Sequence, residues 1–461
     1  MLRIRQTWRD LVARSYSPPA RLFAFRLPGV YPPEAAQKTA PQRVVSIDVL
    51  PAEVIDHVFD LLDGEPDTIK TCTLVCQKWR VLSQPRLFRS IVLATEDLSQ
   101  SIQFQQFMLQ SPNIRAGVRE ITVHFPDLAS WPPDRKLAAN LMADILELLP
   151  RPESLRLYGA RFSDYRVKWS RLSNHLKNSI RTILHRPTMA HLLIDGWVLD
   201  VNHPLFNDIF ATASHSLTSI SLLDISDGIW GTADIPQPPS SAPRLALEKL
   251  TVSNTFTKDM KMIEWLCRPE SVFDLQQLKA LHVVESRDDD SVSLLTNTIG
   301  ASLERLEVNI SYTPQESIGL NHSTSLRSLS LSFGVFYTEL YYSSIPWICE
   351  TLDTLPEDNQ LDELSLSLYI THPRNATQLF PPPPVGRFNY DRWARLGAKL
   401  SDPKFGGVER VKIQLVHHGI DARGYSMMAA QRLGEVTAPK VTWRYLRDDS
   451  PDVDPPDSPA S

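Results

Sequence analysis

The chain has 461 residues, 42% of them hydrophobic, enough apolar material for one long repeat domain or about two or three compact ones. Its formal charge of -5 is spread along the chain and gives no basic footprint for nucleic acid, and no apolar stretch has the length needed to span a bilayer. Four scattered cysteines, Cys72, Cys76, Cys267 and Cys349, exclude a disulfide framework, so the composition fits a large soluble intracellular protein. In chain order, the first 33 residues hold six arginines (Arg3, Arg5, Arg9, Arg14, Arg21, Arg26) against one acid, Asp10. That composition is also found in mitochondrial transit peptides. The proline-rich run from Pro18 to Pro41 favours instead a loose tail, so residues 1–43 are expected to be disordered, basic and proline-rich.

Residues Val49 to Arg89 predict three helices. Pro51 fits a first helical turn, where its missing N–H would have no partner, and Glu53 suits the positive end of the helix dipole. Val54, Ile55, Val58, Phe59 and Leu62 then repeat at helical spacing. Gly64 and Pro66 stop this helix, and Asp67 is an N-cap candidate for a second one near Thr68 to Cys76, with Ile69, Cys72, Leu74 and Val75 apolar. A short third helix carries Trp79, Val81 and Leu82. About 40 residues make a marginal unit alone, and this one has more apolar surface than it can hide within itself, which implies a partner.

The order Leu50-Pro51-x-Glu53, Val58-Phe59, Leu62, Leu74-Val75-Cys76, Trp79-Arg80 and Leu87-Phe88 resembles the F-box. The resemblance covers roughly a tenth of the chain, residues 44–92. Phe88 stands where many members have tryptophan, and Ile69 where leucine is frequent; both keep an apolar group. In that family the segment docks on the Skp-type adaptor of a cullin–RING ubiquitin ligase, and the rest of the chain captures a protein substrate. The resemblance therefore implies that Leu50, Pro51, Ile55, Val75, Cys76 and Trp79 bury apolar surface against the adaptor. It also implies a non-catalytic subunit of an SCF (Skp–cullin–F-box) ligase in the cytoplasm, the nucleus or both, with no cofactor. The alternative is an F-box scaffold that binds the adaptor without directing degradation.

Beyond this segment an apolar-x-x-apolar-x-apolar pattern recurs. It runs through Val118/Ile121/Val123, Pro152/Leu155/Leu157, Met189/Leu192/Ile194, Leu217/Ile220/Leu222 and Leu247/Leu250/Val252. It continues through Leu278/Leu281/Val283, Leu303/Leu306/Val308, Leu326/Leu329/Leu331, Leu361/Leu364/Leu366 and Val408/Val411/Ile413. Successive units start roughly 23 to 47 residues apart, near solenoid periods. Helical stretches intervene at Leu137 to Leu149, Trp169 to Leu184, Phe256 to Cys267, Ile345 to Leu355 and Tyr390 to Leu400. The expected fold class is α/β: a small three-helix F-box followed over 93–446 by an irregular solenoid that resembles a leucine-rich-repeat region. The asparagine or cysteine which that family places three residues after the last leucine is missing from every unit, as at Trp197, Ile225, Gly334 and Tyr369. Ile235 to Pro243 and Thr371 to Phe388 read as proline-rich surface insertions. Asp288 to Asp290 reads as a helix start, and residues 447–461 as a disordered acidic tail.

Nothing in the spacing selects a catalytic set: there is no phosphate-binding glycine loop, no nucleophile elbow and no paired zinc ligands. The expected chemistry is recognition. Arg156, Tyr158, Asp195, His282, Glu307, Asn309, Lys412 and Gln414 fall at strand positions facing away from the apolar pair, a mixed polar strip suited to binding a protein segment. Neither nucleic acid, membrane nor metal is an expected partner.

Overall fold

The computed structural model describes residues 50–447 apart from 63, 95–97, 126–132, 160–166, 200–208, 211–212, 228–243, 254–260, 270, 287–288, 311–315, 337–343, 372–390 and 419–440. The basic tail, the proline-rich insertions (Thr371 aside) and the acidic tail (Arg447 aside, which ends the last strand) lie outside the described residues. The chain divides into two compact units, Met1–Pro51 and Ala52–Ser461; Leu50 and Pro51 are all that is described of the first.

The second unit opens with the three expected helices: α1 (Ala52–Leu61), α2 (Pro66–Cys72) and α3 (Gln77–Leu87). Gly64 turns the chain after α1 at φ +96°, a conformation open to glycine without steric cost. Pro66 opens α2 at its first turn instead of only closing α1, so Asp67 lies inside the first turn and the N-cap is Glu65.

Twelve strands follow: β1 (Ser90–Ala94), β2 (Glu120–His124), β3 (Ser154–Tyr158), β4 (His191–Asp195), β5 (Ser219–Leu223), β6 (Lys249–Ser253), β7 (Ala280–Ser286), β8 (Arg305–Ile310), β9 (Ser328–Phe336), β10 (Glu363–Thr371), β11 (Arg410–His418) and β12 (Val441–Arg447). They form one sheet whose strand order is the chain order, and every pairing is parallel. Parallel neighbours need a crossover, and a right-handed crossover repeated in one direction returns on one side of the sheet each time. The connections carry α4 (Leu98–Gln110), α5 (Pro112–Gly117), α6 (Pro133–Leu148), α7 (Asn174–Leu184), α8 (Lys261–Cys267), α9 (Asp289–Ile299), α10 (Ser344–Asp353) and α11 (Asp391–Leu400). Helices of neighbouring connections pack on one another: α4 on α6, α6 on α7, α8 on α9 and α10 on α11. Local sequence sets several starts. Ser173 accepts a hydrogen bond from the Leu176 amide at 3.3 Å to cap α7, and the acidic Asp289 and Asp290 open α9.

The apolar pattern explains the register. Ile121, Leu155, Leu192, Ile220, Leu250, Leu281, Leu306, Leu329, Leu364 and Val411 pair in one unbroken line across ten strands. Val123, Leu157, Ile194, Leu222, Val252, Val283, Val308, Leu331, Leu366 and Ile413 form a second line beside it. Both lines are buried, as are the leading members of each unit from Val118 to Val408. Together with the inner faces of the helices they make one continuous core from Ile91 to Ile413.

Where the missing asparagine would hold the turn after a strand, part of the chain uses more backbone pairing. Val167–Lys168, Trp197–Leu199 and Ser226–Asp227 form a second, short parallel sheet, with Trp197 and Ile225 buried. A shortened side chain in the middle of either line leaves a cavity that the flanking strands cannot close. Leu329→Ala is expected to destabilise the fold by about 2–5 kcal/mol, whereas the outward neighbour change Ser330→Ala should stay within about 0.5 kcal/mol; urea unfolding midpoints of the two variants test this.

Candidate functional site

The helical trio is built around an aromatic pair. Phe59 of α1 meets Trp79 of α3 edge to face, with ring centroids 5.4 Å apart at 76°. Ile55 is 0% exposed and Ile69 is buried with them. Arg86 lies 5.7 Å from the Phe59 ring centroid, donates to Asp60 at 2.5 Å and sits 3.5 Å from Asp56, tying α3 to α1. Ser83 donates to the Trp79 carbonyl at 2.6 Å, and Arg80 Nε to the Thr73 carbonyl at 3.2 Å. Among the described residues the buried Trp79 indole N–H has no hydrogen-bond partner. The trio is joined directly to the sheet. Phe88 packs on Phe107 of α4 at 5.4 Å, and a Cβ on Gly117 of α5 would stand 2.8 Å from that of Pro85.

Its outside is apolar. Among the described residues, five of the eight large hydrophobic side chains left exposed belong to this trio: Val54, Leu61, Leu74, Val75 and Val81. Such a concentration on 36 residues (52–87) marks an interaction surface rather than the scattered single exposures normal for a protein.

The residues expected to dock divide accordingly. Val75 is exposed and Cys76 half-buried, whereas Ile55 and Trp79 are interior and shape the trio without offering surface of their own. Leu50, half-buried, and Pro51, exposed, belong to the first unit. From the sequence, Val54, Leu74 and Val81 read as apolar positions but not as docking residues, and Leu61 is not singled out at all. A signal for two of them exists: Ile55, Phe59 and Leu62 make one helical stripe of α1, and Val54, Val58 and Leu61 make a second stripe beside it.

On the outward face of the sheet, Arg156 and Lys412 are exposed, while Tyr158, His282, Glu307, Asn309 and Gln414 are half-buried. Several are engaged with neighbours. Arg156 stands 3.5 Å from Glu120, His282 is 3.6 Å from Glu307, and Lys412 donates to Glu363 at 2.5 Å. Tyr158 stacks on His124 with centroids 5.1 Å apart. Asp195 departs from the expectation: it is 0% exposed. The strand ends there, Gly196 at φ +74° redirects the chain into the short second sheet, and alternation no longer predicts an outward position.

Other titratable groups do structural work. His175 Nε2 lies 2.8 Å from Asp144, Ser179 donates to Glu147 at 2.7 Å, and Gln105 donates to Asp144 at 2.9 Å, linking α4, α6 and α7. Burial pushes the Cys349 thiol up to about 11, helped by Asp353 and Glu350 against Arg395 and Lys399. Burial likewise raises the Cys72 and Cys267 thiols, so none of the three is a ready thiolate. Among the described residues no group of three or more His, Cys, Asp or Glu side chains is placed to hold a metal ion, and no helix is long and apolar enough to cross a membrane.

Residues 47–94 match the F-box-like family model. The match takes in all three helices and ends with the last residue of β1. No curated protein matches the chain.

The division between interior and surface predicts opposite outcomes. Trp79→Ala should cost about 3–5 kcal/mol of stability, with Trp79→Phe costing less because it keeps an edge contact and removes the unpaired N–H. Val75→Ala should move the thermal midpoint little, and calorimetry on the three variants separates the cases. On the sheet, burial lowers the His282 pKa below its ordinary 6.5, Glu307 opposes this and Lys249 reinforces it. The unfolded chain therefore takes up this proton first, and the associated stability is lost as pH falls from about 6.5 toward the folded value. NMR titration should place the imidazole below 6.5, and His282→Gln should flatten the loss of stability between neutral pH and pH 5.

Proposed function

We propose that this chain is the substrate-recognition subunit of an SCF-type ubiquitin ligase. In this reading the helical trio docks on a Skp-type adaptor, through it on a cullin–RING assembly, and the sheet region, a degenerate leucine-rich-repeat-like solenoid, binds a protein substrate. One observation carries it: the segment that matches the F-box-like family is the segment whose apolar side chains are left in water. Leu74, Val75 and Val81 supply the outer contact, Ile55 and Trp79 hold its shape from within, and Leu50, Pro51 and Cys76 enter on the sequence motif alone. Covering these side chains contributes about 25 cal/mol per Å² of apolar area removed from water, against the entropic cost of association. Ubiquitin transfer belongs to other subunits, and this chain contributes proximity.

The double variant Leu74→Asp/Val75→Asp should lose at least about tenfold in capture of a Skp-type adaptor while its circular dichroism and thermal midpoint stay near those of the parent. Undiminished capture would sink the docking face. Deleting the chain in cells should raise the abundance of its bound protein; adaptor binding with no such change identifies a scaffold that does not direct degradation.

A further inference from the structure

The outward face of the last four strands differs from the rest of the sheet. Register sets Ser330, Ser365, Lys412 and Thr442 in one row, and Ser332, Ser367 and Gln414 in the next. Neither row holds a carboxylate, on a chain whose formal charge is -5. Within the described residues the hydroxyls of Ser330, Ser332, Ser365 and Ser367 have no hydrogen-bond partner. Ser367 is only 9% exposed, and strand alternation against the inward Leu364 and Leu366 directs it to this face. These serine hydroxyls are donors that an acceptor laid along the face would satisfy. Two carboxylates border the rows. Glu363 already accepts from Lys412, has Arg410 at 3.8 Å, and feels Arg305 across β9, so three cations meet one acid there. Glu307, beside Ser330 in the register, faces His282 at 3.6 Å. The two rows span about 14 Å across the strands and about 7 Å along them, a flat area that fits about four residues of extended chain rather than a small ion.

We propose that this face captures an extended, carboxylate-rich segment of the protein substrate, with Ser330, Ser365 and Ser367 donating to its oxygens and Lys412 and Arg410 supplying charge. The assignment rests on the substrate-receptor reading and names the class of substrate. Carboxylates satisfy hydroxyl donors and draw on the surplus cations together, which a neutral polar segment does not.

The test uses the full chain, a fluorescein-labelled glutamate decamer, a Gly-Ser decamer and a Gly-Ser decamer carrying one phosphoserine, read by fluorescence anisotropy. The glutamate decamer should bind, more weakly as salt rises, and the Gly-Ser decamer should not. Lys412→Gln should weaken binding about tenfold, the loss of one charge-assisted bond, and Ser365→Asp should abolish it. If Ser365→Asp fails to fold, Ser365→Ala/Ser367→Ala keeps the shape of the face and should weaken binding severalfold. No binding by the parent chain, equal binding by the variants, or preference for the phosphoserine peptide overturns the proposal. Adaptor capture measured on the same proteins separates the two readings. Lost capture with intact peptide binding removes the ligase reading alone, and intact capture without peptide binding removes this one.

Discussion

Two buried lines of aliphatic side chains, each running across ten strands in register from β2 to β11, are the constraint on which the rest of this protein depends. A parallel pair shifted by one residue would turn its apolar side chains to the opposite face, so each strand is locked against both neighbours. Because every strand adds next to the one before it, the lock is passed along the chain rather than imposed by distant contacts. The intervening segments are then free to vary. Some carry full helices, such as α6, and others short strands, such as Leu245–Ala246 paired with Phe273–Asp274. The strand register tolerates this because neither line uses side chains from the connections.

The helical trio is tied to that lattice at its first rung. Only Phe88 and Arg89 separate α3 from β1, and Phe88 belongs to both parts. It packs on Phe107 and precedes the inward pair Ile91 and Leu93, which continue the two aliphatic lines into β1 through Ile121 and Val123. The trio therefore spends one side on the sheet region and holds its own centre with Phe59, Trp79 and Ile55. What remains over is Val54, Leu61, Leu74, Val75 and Val81, more apolar surface than either contact can absorb.

Most of the sheet was legible in the sequence because its inward positions obey one rule, an apolar residue at i, i+3 and i+5. The first strand obeys it as well: Phe88, Ile91 and Leu93 are one more copy, hidden because Phe88 also closes the motif of the preceding segment. The last strand was missed for a different reason. By register Val441 and Trp443 stand beside Val411 and Ile413, and a tryptophan takes the place of the aliphatic residue that marks the other strands. Helices α4 and α5 were missed because Leu98–Gln110 is rich in glutamine and serine, with a weak apolar stripe completed by Phe104, Phe107 and Met108 against the core. On the surfaces, legibility falls. Period-two counting put Asp195 outside, but it says nothing about where a strand stops. The family motif named Ile55 and Trp79 as contacts, yet a motif records which residues a segment needs, and an interior residue can be needed as much as an exposed one.

The short join between trio and sheet bears on how the proposed function would operate. A receptor that acts by proximity gains when the captured segment cannot wander, since effective concentration falls as the tether between two sites lengthens. Two residues, one of them packed against α4, leave almost no tether between α3 and β1. A partner held on the trio and a segment held on β9 to β11 would then be related by the strand lattice alone. The distance between them would be set by the number of strands that intervene, at about 4.8 Å per strand. Inserting or deleting a repeat would change that distance in steps, whereas lengthening a connection on the helical side would not change it at all. The irregular lengths of the connections and the unbroken register of the two aliphatic lines are thus consistent with one requirement: a fixed spacing carried by the sheet, with sequence freedom left to everything beside it.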